Sequence, residues 1–449
     1  MTKRKRGVVM ADRISELPDE VLVSIVSLLS LREAAAMRIL STRWRNVWKS
    51  TWTLNFDADP KALERERYVT DPETLKERYV KWVDSTLEQH QGMSIEQFRI
   101  CFNLNERFSS SVDKWVRFAM KKRVQILELN FLEEFPPTYE GALLHVPCYT
   151  FSPRQLLGGV PSLQPCSDVG FNFLRVVKFK NVCLAGGLEY FLSNCPALER
   201  LTIYRIPDLH KLRVVGPSIP LKYLVIRGCD NIESILIRDA NLVSFTYQGL
   251  KMNLITRNVP LLTEVSIGGY PKVDFLKVAF TQLESCRSQL QVLKLLQYKI
   301  PYDEDRVFPI FSSLKQLEIA VTDQDYWRLH LLTSFIEASP CLHKLVLHLH
   351  HSSFTGQRKI FKRAECSHRY LKVVEMVGYD GSTGDFGLVK YLTKTAVNLE
   401  EIGVSHFKSW FYHYTDEKPE ESERDRAMKD RAMKELKQIV PSTVKLVCL

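Results

Sequence analysis

The chain has 449 residues, of which 45% are hydrophobic and 25% are charged, a balance typical of folded proteins and unlike that of disordered chains. This length exceeds what one hydrophobic core normally fills, so it excludes a single small domain and favours several domains or an elongated repeat array. The net charge of +10 is spread along the chain and not gathered into one stripe, which argues against nucleic acid as a partner.

The first segment, residues 1–11, is expected to be disordered and carries a basic cluster of Lys3, Arg4, Lys5 and Arg6. No apolar run follows the cluster, so it is not typical of a secretory signal, but it fits a nuclear import signal. The longest apolar stretch, Val21 to Leu31, is about half as long as a membrane span. We therefore expect an intracellular protein of the nucleus or cytoplasm, without a membrane partner.

Residues 12–52 have the spacing of three short helices. Ser30 and Glu33 form a capping-box pair that starts the second helix, and Trp44 and Trp48 are four residues apart on the third. So small a module cannot bury all its apolar surface by itself, because chains of about 40 residues are marginal without help. Two interpretations stay open: the remaining surface binds a partner, or the module caps the region that follows.

From Ile95 onward the chain repeats the spacing L-x-x-L-x-L, with other apolar residues allowed. The steps between starts run from 20 to 29 residues, typical of leucine-rich repeats, in which a strand and its return form one coil. We predict a helical connector at 53–94 and repeats over 95–361. Clear starts are Leu174, Leu198, Leu221, Leu242, Leu262, Leu290, Leu314, Leu342, Leu371 and Leu399.

One segment, residues 131–170, breaks the period and holds six prolines, so we predict an insertion there. Elsewhere the second and third apolar positions of each repeat are two apart on a strand, and they point to the same side. No coil can bury this face alone, so the coils must stack into a solenoid. The predicted fold class is an α/β solenoid, with a small three-helix module before an irregular leucine-rich-repeat horseshoe.

The residues between the inward leucines should line the concave side of this solenoid. Later coils place acidic residues there: Glu264, Glu318, Glu375 and Glu401. Early coils place basic and aromatic residues there, which are the candidates for binding a substrate: Lys178, Lys180, Arg200, Tyr204, Tyr223 and Arg227. The alternative is that these are ordinary solvated strand faces, because single charges and aromatic rings are common on surfaces.

The sequence contains no Gly-rich phosphate loop, nucleophile elbow or HExxH motif, and its ten cysteines include no CxxC pair. His348 and His350 share a face of a strand predicted at Leu345 to Leu349, which would permit metal binding. We interpret them, with His343 and His351, as exposed side chains between inward leucines. We therefore expect no catalytic residue, no metal and no cofactor.

The segment from Leu17 to Trp48 resembles an F-box of the plant type. The resemblance rests on LPDEVL at its start and on RILSTRWRNVW, which begins at Arg38. It implies that the module binds the Skp adaptor of a Skp-cullin-F-box ubiquitin ligase, and through it a cullin. Carried over by position, the implied adaptor contacts are Leu17, Pro18, Val21, Leu22, Ile25, Leu28, Leu29, Leu40 and Trp44.

The stretch from His368 to Val404 resembles the FBD domain that follows the repeats in many plant F-box proteins. LKVVE at its start, Gly378 and the later LVKYL carry this resemblance, and we predict an FBD segment at 362–449. The sequence DRAMK occurs twice in tandem, from Asp425 to Lys434, which indicates a lengthened helix.

Together, these resemblances imply a non-catalytic substrate-recognition subunit of a ubiquitin ligase, whose repeats bind an unknown protein to be ubiquitinated. Two alternatives stay open. The chain could be a receptor that binds a small molecule, or a Skp-binding scaffold without a ligase role.

Overall fold

The computed structural model describes residues 14, 16–39, 43–58, 71–131, 149–156, 171–185, 187–269, 275–297, 307–322, 328–350, 368–379, 381, 383–405, 430 and 432–448. They belong to two compact units, Met1–Leu209 and His210–Leu449, named here the N-terminal unit and the C-terminal unit. The basic cluster from Lys3 to Arg6 lies outside the described residues. Among the described residues, no helix combines the length and apolar character that a membrane crossing requires.

The N-terminal unit begins with three short helices, α1 (Asp19–Ser27), α2 (Leu31–Ala36) and α3 (Trp44–Val47). Asp19 lies in the first turn of α1, where its negative charge complements the helix dipole. The predicted capping box starts α2: the Glu33 N–H donates to Ser30 Oγ (3.3 Å), and the Ser30 N–H donates to Glu33 Oε2 (3.0 Å). The local signals in the sequence therefore form the helices that they predict.

Five parallel strands of the N-terminal unit pair in chain order: β1 (Thr53–Asp57), β2 (Gln97–Cys101), β3 (Ile126–Asn130), β4 (Val176–Lys180) and β5 (Arg200–Tyr204). The connections contain α4 (Pro72–Gln89), α5 (Ser109–Lys121), α6 (Pro153–Leu156) and α7 (Leu188–Ser193). The stretch 53–94, predicted as a helical connector, contains α4 but also contributes β1. The sheet therefore starts directly after the three-helix module.

The C-terminal unit contains β6 (Lys211–Val215), β7 (Tyr223–Arg227), β8 (Ser234–Arg238), β9 (Ser244–Gly249), β10 (Asn253–Arg257), β11 (Glu264–Gly269), β12 (Val292–Gln297), β13 (Gln316–Thr322), β14 (Lys344–His350), β15 (Val373–Val377), β16 (Glu401–Ser405) and β17 (Lys445–Cys448). One parallel sheet has the order β7-β9-β11-β12-β13-β14-β15-β16-β17, and a second has the order β10-β8-β6. Its longer helices are α8 (Phe275–Gln282), α9 (Arg328–Glu337) and α10 (Thr383–Thr395).

Repeat length decides how each coil of the C-terminal unit returns. The starts Leu221, Leu242 and Leu262 are 21 and 20 residues apart, and these short coils return through the strands β8 and β10. The next step, to Leu290, is 28 residues long and leaves room for α8. The described returns of this unit are therefore not all helical, because the shortest repeats have too little chain for a helix.

The core of each unit is built from the apolar positions of the repeat. In the C-terminal unit the strand register places Leu293 beside Leu317 and Leu317 beside Leu345, and all three are fully buried. A leucine buried in this way contributes about 1.5–3 kcal/mol, so each coil stabilises its neighbours. The stacked strands and returns confirm the predicted α/β solenoid organisation.

Two predicted segments are described only in part. The insertion at 131–170 is seen at residues 131 and 149–156, where Tyr149 and Phe151 are buried. Within the predicted FBD segment, β15, α10, β16 and β17 continue the strand order of the C-terminal unit, and its start at 362 stays a prediction. The first DRAMK copy lies outside the described residues, whereas the second contributes to a helical turn at 432–436.

Candidate functional site

The three-helix module has a small closed core. Leu22 and Val26 on α1 pack with Ala34 on α2 and with Trp44 and Val47 on α3. Trp44 is 1% exposed, and its large ring fills the space between the helices. The module therefore has a defined interior, although it is short.

A second set of apolar side chains lies along α1 at the border of this core. Val21, Ile25 and Leu28 are four and three residues apart, so they lie along one side of α1, and Leu17 precedes the helix at the same spacing. Leu28 is 88% exposed and Val21 is 41% exposed, while Leu17 and Ile25 are half-buried. We call these four residues the α1 face. Leu17 and Ile25 also pack against the core, while Val21 and Leu28 form the apolar part of this face that the module leaves uncovered.

The structure separates the predicted adaptor contacts into two groups. Leu22 and Trp44 lie in the core of the module, so they support the α1 face from behind and do not form part of its surface. Pro18 is exposed and Leu29 is half-buried. Leu40 lies outside the described residues.

Two exposed apolar residues of the module are absent from the sequence-based set. Ile14 precedes the first helix and is 57% exposed, and its carbonyl accepts a hydrogen bond from the Leu17 N–H (3.1 Å). Ile39 follows α2 and is 82% exposed. Neither residue belongs to a helical stripe, so periodicity gives no signal for it.

The module joins the repeat sheet through buried hydrogen bonds. Ser27 Oγ, on α1, accepts the Trp52 N–H (3.2 Å) and lies 2.9 Å from Thr51 Oγ1. From the other side, His90 Nε2 lies 2.9 Å from the Thr51 carbonyl oxygen and donates to it. Burial lowers the pKa of His90, which keeps its imidazole neutral, although the Thr51 carbonyl acts in the opposite direction. The module is therefore attached to β1 without a flexible linker.

The strands of the N-terminal unit present polar residues on the side opposite the buried leucines, named here the open face. Glu128 on β3 is only 3% exposed, and three cations surround its carboxylate. Lys178 Nζ is 3.5 Å from Oε2, while Lys180 Nζ and Arg99 Nε are 3.4 and 3.7 Å from Oε1. Arg99 Nε also lies 3.0 Å from Asp57 Oδ1. Two predicted substrate contacts, Lys178 and Lys180, therefore share one carboxylate.

The other predicted substrate contacts lie on two further strands, β5 in the N-terminal unit and β7 in the C-terminal unit. In β5, Arg200 is exposed and Tyr204 is half-buried, and the register places Tyr204 beside Lys180. The Arg205 guanidinium lies 5.4 Å from the centre of the Tyr204 ring. In the C-terminal unit, Tyr223 and Arg227 are half-buried at the two ends of β7.

The strands of the C-terminal unit also carry polar residues on the side opposite their buried leucines, and acidic residues there have cationic partners. Lys294 Nζ lies 3.1 Å from Glu318, Lys344 Nζ lies 2.8 Å from Glu375, and Lys445 Nζ lies 3.0 Å from Glu401. The predicted late acidic surface is thus neutralised pair by pair at these three positions.

His348 differs from its prediction as an exposed side chain, because it is 7% exposed and donates from Nε2 to Glu318 Oε1 (2.7 Å). Burial alone would raise the pKa of Glu318, but the His348 hydrogen bond and the Lys294 charge outweigh it and lower this pKa to about 2. The prediction failed because Glu318 is 30 residues away in the chain. His343 is exposed as predicted, the side chain of His350 lies outside the described residues with His351, and no cluster of three metal-binding side chains occurs among those described.

Comparison with known proteins gives two family matches. Residues 14–55 match the F-box domain, and residues 86–449 match the At1g61320/AtMIF1 LRR domain. The F-box match spans the three-helix module and most of β1, and the LRR match spans the remaining strands. The matches support a role in substrate recognition in the general sense that F-box proteins share, as non-catalytic adaptors.

Relatives from Arabidopsis thaliana carry the same domain names. The F-box/FBD/LRR-repeat protein At3g52680 is 29% identical over 363 residues, which cover 77% of this chain and 72% of that protein. The F-box/LRR-repeat protein At2g42730 is 25% identical and covers 88% of this chain and 91% of that protein. The F-box/FBD/LRR-repeat protein At5g22700 is 26% identical over 81% of this chain and 85% of that protein. This chain therefore belongs to the plant F-box/leucine-rich-repeat family, with an LRR domain of the At1g61320/AtMIF1 type.

Proposed function

We propose that this chain is the substrate-recognition subunit of a Skp-cullin-F-box ubiquitin ligase. In this proposal the F-box binds the Skp adaptor, which links the chain to a cullin, and the repeats bind the protein to be ubiquitinated. The observation that carries the proposal is the α1 face, an apolar surface left uncovered beside a closed core.

Physical chemistry supports a protein as the occupant of the α1 face. A side chain such as Leu28, 88% exposed at the end of α1, gains about 1.5–3 kcal/mol when a partner removes it from water. The buried core behind it, centred on Leu22 and Trp44, holds α1 in one conformation. Binding to a preformed surface costs little ordering of the chain, which increases the affinity that a given area can provide.

The proposed adaptor contacts follow from exposure. Residues that can touch a partner directly are Leu17, Pro18, Val21, Ile25, Leu28 and Leu29, together with Ile14 and Ile39. Leu22 and Trp44 act through the shape of the core, and Leu40 stays a prediction.

The role of this chain in ubiquitin transfer is positional. A bound target is held beside the ligase subunits that carry out the chemistry, so transfer proceeds as if the target were present at high local concentration. The hydrogen bonds of Ser27, Thr51 and His90 support this role, because they fix the F-box against β1.

A pull-down with purified Skp adaptor tests the proposal. Leu28→Glu should weaken adaptor binding about thirtyfold or more, since it places a charge at the most exposed residue of the α1 face. The side chain is already exposed, so circular dichroism and thermal unfolding should stay unchanged. Val397→Glu is the matched control, because it introduces the same charge at another exposed aliphatic residue, in the C-terminal unit. Wild-type chain that fails to bind the adaptor, or Leu28→Glu that binds like wild type, would refute the assignment.

A further inference from the structure

Three cations on the open face of the N-terminal unit share one carboxylate. Arg99, Lys178 and Lys180 come from two strands on either side of β3, and all three lie within 3.4 to 3.7 Å of Glu128. Asp57 supplies a second negative charge, but it contacts Arg99. The two lysines therefore depend on a single glutamate, and the group keeps an excess positive charge.

The distances show that Glu128 does not satisfy these lysines fully. A strong charge-assisted hydrogen bond between an ammonium and a carboxylate is about 2.7–2.9 Å long, which is shorter than both lysine contacts here. Glu128 is nearly buried, whereas Lys178 and Lys180 are half-buried and reach solvent. The carboxylate thus holds two ammonium groups near each other while their remaining N–H groups stay available to an anion.

The adjoining strand enlarges this positive surface. Arg200 lies beside Val176 and Tyr204 lies beside Lys180 in the register of β4 and β5, and Arg205 follows against the Tyr204 ring. We call Lys178, Lys180, Arg200, Tyr204 and Arg205 the β4–β5 patch. It combines four cations with one aromatic ring, which suits an anionic partner that also has some apolar surface.

We infer that the β4–β5 patch binds an acidic, extended segment of the protein that this chain recruits, an inference that rests on the proposed function. Lys178 and Lys180 are two residues apart on one strand, so the backbone positions that carry their side chains are about 7 Å apart along it. Alternate residues of an extended peptide have the same spacing. The patch therefore fits acidic side chains at alternate positions of such a segment.

Charge also separates this partner from nucleic acid. Nucleic-acid surfaces carry an extended basic stripe that follows many phosphates. Here Glu128 lies directly beside the patch, and Asp57 lies against Arg99 on the same face, so both carboxylates would repel a continuous phosphate backbone. A short acidic segment can place its charges on the lysines and avoid these carboxylates.

Fluorescence anisotropy with the full-length chain tests the inference. The probe is a fluorescein-labelled peptide of alternating aspartate and glycine, compared with the same peptide carrying asparagine and with one carrying phosphoserine. The aspartate peptide should bind and the asparagine peptide should not, with affinity that falls as salt rises because exposed charges are screened. Binding of the phosphoserine peptide in preference to aspartate supports the same anionic site and identifies phosphate as the source of its charge.

Variants link the binding to the patch. The double variant Lys178→Gln/Lys180→Gln should bind the aspartate peptide about tenfold more weakly. The control Lys344→Gln/Lys445→Gln removes two lysines that have their own glutamates, and it should bind the peptide like wild type. Glu128→Gln should strengthen binding, because it removes the competing carboxylate while keeping its shape.

Three results would overturn the inference: no binding of either acidic peptide, equal binding by the Lys178/Lys180 variant, or tighter binding of random duplex DNA than of the aspartate peptide at the same salt concentration. Adaptor pull-down with the same variants should stay at the wild-type level. A failure of peptide binding with intact adaptor binding therefore refutes this inference alone, and the reverse result refutes the ligase assignment alone.

Discussion

The F-box and the repeats both consist of pieces too small to bury their apolar residues alone, but they differ in what covers those residues. In the repeats, a strand such as β13 has neighbours on both sides, and Leu317 is fully buried between Leu293 and Leu345. In the F-box, α1 packs one side against α2 and α3 and leaves Leu28 88% exposed on the other. The same types of apolar residue can therefore be fully covered by neighbouring elements, as in the repeats, or covered only on one side, as in α1. The exposed side of α1 is therefore the surface on which the proposed adaptor interface rests.

Substitutions in the core of the F-box and on its exposed side should differ most in their effect on folding stability. Trp44→Ala should destabilise the module by about 3–5 kcal/mol, because it leaves a large cavity in the core. Leu28→Ala should change its stability by less than about 0.5 kcal/mol, since the side chain is already in water. Hydrogen exchange of the α1 amides, followed by mass spectrometry, measures both effects locally. Equal protection losses in the two variants would contradict the division between core and α1 face.

A buried carboxylate on the polar side of the repeats should make the stability of the C-terminal unit depend on pH. The pKa of Glu318 is lowered to about 2, so its ionised form stabilises the folded C-terminal unit above the pKa of an unfolded glutamate. This contribution, on the order of 3 kcal/mol, should be lost as pH falls from about 5 towards 2. Thermal unfolding measured across this range should show a smaller pH dependence in Glu318→Gln than in wild type.

A matched variant keeps this test specific. Glu400→Gln removes a carboxylate that contacts Lys372 at 2.6 Å but is largely exposed. The stability of this variant should therefore change with pH as that of the wild type does. If Glu318→Gln and Glu400→Gln behave alike, the His348–Glu318–Lys294 cluster does not contribute the predicted stability.

Loss of a hydrogen bond between the F-box and the start of β1 should have an intermediate effect on stability. Ser27→Ala leaves the Trp52 N–H without its acceptor in a buried site, which should cost about 1–3 kcal/mol. Ser24→Ala on the same helix is the control, since Ser24 only donates to the Glu20 carbonyl at the surface (2.7 Å). Faster hydrogen exchange at Thr51 to Thr53 in Ser27→Ala, but not in Ser24→Ala, is the expected result. Unchanged exchange in both would show that the joint does not depend on Ser27.

Sequence reasoning recovers features that depend on near neighbours in the chain. The capping box of Ser30 and Glu33 forms as predicted, and the repeat starts lead to buried leucines, because each signal lies within a few residues. The spacing of the apolar residues also predicts the helix α1. It does not reveal which side packs inward, so Leu22 and Leu28 look alike in the sequence although one is buried and the other exposed.

Features that depend on distant residues are not visible in this way. The burial of His348 follows from Glu318, and the grouping of Lys178 and Lys180 around Glu128 follows from the register of β3 and β4. The short strand β1 was not predicted within the helical connector, because its five residues pair with a strand more than forty positions later. In each case the missing information is which strands become neighbours.

The smallest expected effect belongs to the ion pair between Arg43 and Asp19. Arg43 Nη2 lies 2.6 Å from Asp19 Oδ1, but the Asp19 side chain is 75% exposed, so water and salt compete with the contact. A double-mutant cycle with Arg43→Ala and Asp19→Ala should give a coupling of about 0.2–1 kcal/mol that decreases in high salt. Adaptor binding should remain within about threefold of wild type, because the pair joins the starts of α1 and α3 and not the α1 face. A coupling of several kcal/mol would contradict this prediction and show that charge contributes strongly to the packing of α1 against α3.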